Sequence, residues 1–313
     1  DVRARVGGSA QLGSKMDIDV KSKLESSFRT FSESVIDHHP SDQEVPDMTS
    51  VAVTVGLYDN HSTATLEDDV TADAQRKMKV QALTEYPLKK ALQVIKKGDK
   101  RILEMKGSSW ARSHSLGGKS QVAGSLNYQD YKTLTQAQIG ARANINQNFL
   151  FTDIDQDVEV KADTKFRIVD IAGIFQLEIN LPKLTSFNLA FWTPNFNLWA
   201  DLKDGVKVVK DQSDIGYGMG AENTAVGGAL SFINIQDDTL ASIGDNSSVS
   251  AGLDGAVKVK ANSDLKHYTF SLAGLEAEKV GIQGSLAHTH QQSHTQAHIS
   301  QGAIIEAGNI SVK

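Results

Sequence analysis

Four histidines crowd one short segment: His288, His290, His294 and His298. On a strand, His288 and His290 would share a face, the placement that a metal site built on two imidazoles needs. No carboxylate or cysteine lies in the same run to finish such a site. The corresponding stretch of another repeat carries Asn127, Tyr128 and Gln129 instead, so exposed polar positions are the expectation. Asp153, Asp155 and Asp157 are spaced like the start of a calcium loop, but the glycine and distant glutamate of a helix-loop-helix site are missing. A turn entering a strand at Val158 is expected there. No metal and no cofactor is expected.

Two further groups could bind something. Lys89, Lys90, Lys96 and Lys97, followed by Lys100 and Arg101, offer a basic patch for acidic glycans or lipid headgroups. A solvated helix face would carry the same residues. Trp192, Phe196 and Trp199, with Phe175, Phe187 and Phe191, could stack on sugar rings or anchor a protein partner. A small satellite core under a long loop is the alternative. No Gly-x-Ser-x-Gly elbow, phosphate loop or His-Glu-x-x-His run occurs, so no catalytic residue is assigned and an enzyme is not expected.

The elements that must position these residues are set by composition and repetition. Of 313 residues, 40% are hydrophobic and 22% charged, the range of an ordinary folded protein. Aromatics are only 6% and glycines number 25, which favours a thin core of Ala, Val, Ile and Leu. With 38 acidic against 32 basic residues the net charge is -6, the wrong balance for a general nucleic-acid binder. Cysteine is absent, so disulfides, thiolate metal sites and a Cys nucleophile are all excluded. No apolar run approaches the roughly 20 residues of a spanning helix.

Self-similarity organises the chain. The order Ala137-Gln138-Ile139, followed by Ala143 and Ile145, returns at Ala4 to Leu12, Ala64 to Ala72, Ala241 to Val249 and Ala297 to Ile305. Thirteen residues upstream of Leu66, Ile139, Ile243 and Ile299 stand Val53, Leu126, Leu230 and Leu286. Downstream, Val20, Val80, Val160, Val259 and Val312 begin a Val-Lys-Ala-like strand. Copies lie 60, 73, 104 and 56 residues apart from Val6 onward, so a unit near 56 to 60 residues has accepted two insertions. The expected architecture is all-β: a right-handed parallel β-helix, in which short strands stack and bury a continuous aliphatic column. Strands of about five residues, and three coils of roughly 19 residues per unit, are expected. An antiparallel sandwich or barrel is the runner-up.

The division read from this pattern is repeats over 1–82, a basic insertion over 83–121, a repeat over 122–162, an aromatic-rich insertion over 163–225 and repeats over 226–313. The first insertion is expected to be partly helical, because Leu88, Ala91, Leu92 and Ile95 follow the i, i+3, i+4, i+7 rule between Pro87 and Gly98.

At these residues the chain resembles the filamentous-haemagglutinin-like exoproteins of bacteria, especially the leukotoxin-like filamentous adhesins. Gly124 to Asn127, Ala137 to Gly140, Val158 to Ala162, Ala297 to Ile299 and Ala307 to Val312 carry the resemblance. Glu67 and Ser300 replace the family's glycine, so different turn geometry is expected there. The resemblance implies an internal segment of a giant secreted adhesin, a stiff stalk at the bacterial surface. The partners implied are a host or neighbouring-cell glycan or protein, and neighbouring repeats of the same chain or further copies of it. A structural sheath or fibre subunit, and a polysaccharide-acting β-helix enzyme, are the alternatives. The start at Asp1 and the end at Lys313, inside a repeat, are read as cuts from a longer precursor.

Overall fold

The anchor residues of the repeat line up row by row in a computed structural model, which describes residues 1–37, 47–87, 92–97, 100–105, 108–116, 118–173, 176–179, 206–208, 220–273, 276–277 and 279–313. Ala4, Ala64, Ala137, Ala241 and Ala297 occupy one row, and Val6, Leu66, Ile139, Ile243 and Ile299 the next but one. Both rows belong to a first sheet, all parallel, built from Val2–Val6, Met48–Leu66, Gly118–Ile139, Gly220–Ile243 and Val280–Ile299. A second parallel sheet stacks Gln11–Ser14, Thr71–Ala74, Asn144–Ile145, Ser248–Ser250 and Ile304–Glu306. A third stacks Asp17–Glu25, Lys77–Tyr86, Asp157–Gly173, Ala256–Leu272 and Asn309–Val312, with Val20, Val80, Val160, Val259 and Val312 in register. The fold is all-β, and its three main sheets are parallel.

Each unit passes once through the first, second and third sheets before the next unit repeats the circuit. This corrects the expectation of three short coils per unit. Four strands of the first sheet run 19, 22, 24 and 20 residues, not about five. The constant thirteen-residue offset has a simple cause: Val53 and Leu66, like Leu126 and Ile139, lie on one unbroken strand.

Where the three sheets meet, small and branched side chains form one apolar column. Leu66, Ile139, Ile145, Ile243, Val80, Val160 and Val259 are fully buried in it, with Ala64, Ala137 and Ala241 letting the sheets approach. Further along, the first and third sheets face each other through polar and aromatic layers. Thr135 donates to Thr84 at 2.7 Å, Thr164 donates to Thr135 at 2.8 Å, and Thr164 and Thr239 share a bond of 2.7 Å, all four buried. Beyond them Tyr86, Tyr131 and Phe166 are buried against Phe28 and Tyr58, with Tyr58 and Tyr131 stacked at 5.0 Å. Alternation of inward hydroxyls and outward side chains therefore keeps the strand going where the sequence looks merely polar.

The corner between the first and second sheets is the same in every unit. Ser9, Asp69, Arg142, Asn246 and Gly302, each three residues past the aliphatic anchor, have φ of 59°, 61°, 56°, 54° and 73°. Three of their amides find partners in the next unit: Asp69 N donates to Ala141 O, Arg142 N to Asp245 O and Asn246 N to Gln301 O. The turns at Glu67 and Ser300 thus keep the geometry of the glycine-bearing turns, against expectation. Glu67 fits because it stands over Gly7 and Gly8, accepting from Gly8 N at 2.9 Å and pairing with Arg5.

The helix expected in the first insertion is corrected too. Leu92–Lys97 and Lys100–Met105 are antiparallel strands, with Val94 opposite Leu103 and Ile95 opposite Ile102. Among the described residues the only helical turn is the three-residue 3-10 segment Phe149–Phe151. Two aliphatic runs separated by Gly98 and Asp99 carry a hairpin signature that competes with the helical spacing. Leu88 and Ala91, the other half of that spacing, lie outside the described residues.

Candidate functional site

The two insertions come together. After Tyr86 the chain leaves the third sheet, and Ser109–Leu116 resumes that row beside Asp157–Gly173, with Ser109 opposite Asp170. Between them the hairpin Leu92–Lys97/Lys100–Met105 pairs with Gln176–Ile179, which pairs in turn with Val206–Val208. One four-stranded antiparallel sheet thus takes two strands from each insertion. Sequence reading treated the insertions as separate, and only their pairing across the fold joins them.

Register places four cations at one end of this sheet. Lys96 stands opposite Arg101 and Lys97 opposite Lys100. Lys89, Lys90, Trp192, Phe196 and Trp199 lie outside the described residues.

The histidines fall on the outward face of Val280–Ile299, where His288, His290 and His294 are exposed. His294 Nδ1 lies 3.7 Å from Asp238 Oδ1. Among the described residues no group of three or more His, Cys, Asp or Glu side chains could hold a metal. Asp153 to Gln156 form a turn, Gln156 N donating to Asp153 O, and Asp157 caps the next row by accepting from Ala256 N at 2.8 Å.

An open groove of about 510 Å³ follows the corner, lined by Gly8, Thr65, Glu67, Asp68, Asp69 and Arg142 among others. Its carboxylates are already occupied. Arg142 holds Asp69 through two bonds of 2.7 and 2.8 Å, Asp68 accepts from Ala141 N at 2.9 Å, and Arg5 pairs with Glu67. Arg142 and Arg5 hold the Asp69 and Glu67 carboxyls below their ordinary values. The groove is a zipped corner with no free ligand set for a cation.

Sequence reading missed a buried cluster between the first and third sheets. Asp170 is fully buried and takes Ser109 Oγ at 2.5 Å, Tyr131 OH at 3.0 Å and His267 Nε2 at 2.9 Å. Asn127 Nδ2 donates to Ser109 Oγ at 2.7 Å, and Gln129 Nε2 donates to Asn127 Oδ1 at 2.7 Å. Burial, with the Asp170 charge beside it, pushes the Tyr131 phenol well above its usual range. Ser, His and Asp are all present, but Ser109 and His267 bind the two oxygens of one carboxylate. The imidazole does not receive the hydroxyl proton, so the nucleophile-to-base relay is missing. Only the pairing of Ser109 with Asp170 and of Asp170 with Thr269, two residues from His267, brings these residues together.

Compared with protein-family models, curated proteins and solved structures, the chain matches none.

Proposed function

We propose that the chain is an internal segment of a right-handed parallel β-helix, the stiff stalk of a giant secreted bacterial surface adhesin, with the insertion sheet as its binding decoration. One observation carries the stalk: the anchor rows of five units stay in register on three parallel sheets while the spacing between units varies from 56 to 104 residues. A stack of this kind absorbs insertions without losing its core, because each unit contacts only its neighbours. What supports the binding role is the gathering of Lys96, Lys97, Lys100 and Arg101 at one end of the insertion sheet. An acidic surface glycan is the ligand that such a cluster fits.

The test is binding of the whole chain to a sulfated glycosaminoglycan, by calorimetry at two salt concentrations. Lys96→Gln with Lys97→Gln is expected to weaken binding at least about tenfold and to flatten its salt dependence. No binding, or binding indifferent to both substitutions, removes the decoration from the reading. Electron micrographs of the chain then judge the stalk separately, where rows about 4.8 Å apart along a rod are expected.

A further inference from the structure

The outward face of the first sheet leaves aliphatic side chains in solvent. Val51, Val53, Val55 and Leu57 follow one another along one strand at 57%, 48%, 56% and 71% exposure. Register extends them sideways: Val53, Leu126, Leu230 and Leu286 form one row across four units. Four residues upstream, Val122, Val226 and Ile282 form a second, 45%, 39% and 60% exposed. Between these ridges, over three units, runs a furrow, because Gly124, Gly228 and Gly284 occupy the intermediate row, which Val51 closes at one end. The space above it is open: a Cβ on Gly284 would meet nothing within 4 Å, and the nearest atoms to Gly124 and Gly228 stand at 3.9 Å.

The outward face of the third sheet is different. Lys77 pairs with Glu159 at 2.9 Å, and Lys23 and Lys165 pair with Glu85 at 3.2 and 3.1 Å, row against row. That face is made for water, and the apolar half of the first sheet is not. Five outward positions along four adjacent strands measure about 27 by 19 Å, or roughly 500 Å². Such an area is at the upper end of what a lone protein exposes. Two such faces together remove about 1,000 Å², the least that a specific interface needs.

We infer that this face packs against the same face of a second copy of the chain. A half-turn about an axis along the stacking direction reverses the strands and lays the Leu126/Leu230/Leu286 ridge of one copy over the glycine furrow of the other. The same operation seats the second copy's ridge in the first copy's furrow, as a two-fold interface requires. The stacks then lie side by side, and each further unit with this pattern adds to the contact. Asp130, Asn234 and His290, in the row beyond the aromatic Tyr128 and Phe232, supply a polar rim. This pairing is independent of the glycan-binding role, since it uses no residue of the insertion sheet.

The experiment is sedimentation of the whole chain over a wide concentration range, with Leu126→Lys/Leu230→Lys and Gly124→Leu/Gly228→Leu as variants. Both pairs sit on an exposed face, so unchanged circular dichroism and urea midpoint are expected. The wild type is expected to show a monomer–dimer equilibrium. The lysine pair should weaken it by about a hundredfold or more, and the furrow-filling pair should weaken it as well. A wild type that stays monomeric at every concentration overturns the inference. So does association that survives both variants, which would mean end-to-end stacking through open strand edges. A monomer whose apolar face instead takes up phosphatidylcholine vesicles would assign the surface to lipid and overturn it equally.

Discussion

Asp170 shows what a single carboxylate costs and returns in this interior. Among its hydrogen-bond partners is His267, whose side chain is 5% exposed while that of Asp170 is fully buried. Removing a buried hydrogen-bond partner leaves the carboxylate one contact short, which typically costs about 1–3 kcal/mol. His267→Ala is therefore expected to lower the unfolding free energy by about that amount in urea titrations, and a loss under about 0.5 kcal/mol would show the contact to be dispensable. Asp237 titrates in the opposite sense to a salt-bridged acid. Burial pushes its carboxyl up, although Ser263, Thr239 and Ser293 donate to it. The folded chain then keeps this proton to higher pH than the unfolded chain, so the group's stabilising contribution is full below 3.8 and lost as pH rises through the folded value. Asp237→Asn cannot lose a proton, so its stability relative to wild type should improve between acid and neutral pH. Parallel pH profiles for the two proteins would contradict that sign.

The threonine ladder is an element-scale device, and its energetics are expected to be non-additive. Thr164→Val leaves the Thr135 and Thr239 hydroxyls short of a buried partner, which costs about 1–3 kcal/mol. Converting Thr84, Thr135 and Thr164 together to Val removes the ladder at constant shape and leaves Thr239 donating to Asp237. The threefold variant should therefore be less destabilised than the sum of the single ones in chemical denaturation; simple additivity would mean that the ladder is a set of separate contacts. The same ladder explains what sequence could and could not reveal. Rows such as Ala4-Ala64-Ala137-Ala241-Ala297 were legible because aliphatic anchors recur with fixed spacing. Thr135 and Asn127 read as part of a polar stretch, since the partners that satisfy them lie on another sheet. Leu92 and Ile95 satisfied a helical period by coincidence, and their strand partners, Met105 and Ile102, decided the outcome. The cationic cluster was legible as composition at Lys96, Lys97, Lys100 and Arg101, while the register that sets those residues face to face was not.

At the scale of the whole molecule, the units differ in how much chain each holds, while each is attached to the next through the same three parallel sheets. In all three parallel sheets the hydrogen bonds between strands point along the stacking direction. Tension applied along that direction therefore loads one row at a time, like a zipper opened tooth by tooth, and never shears many rows together. Each detached unit lengthens the chain by what it stored, and the repeat distances of 60, 73, 104 and 56 residues make these increments unequal. At about 3.4 Å per residue they range from roughly 190 to roughly 350 Å. Single-molecule pulling should record a ladder of small force drops with those unequal lengths, and one large rip would refute it. The insertions thus act as stored slack: under strain the molecule gives ground in metered steps, and the units still zipped stay ready to close again.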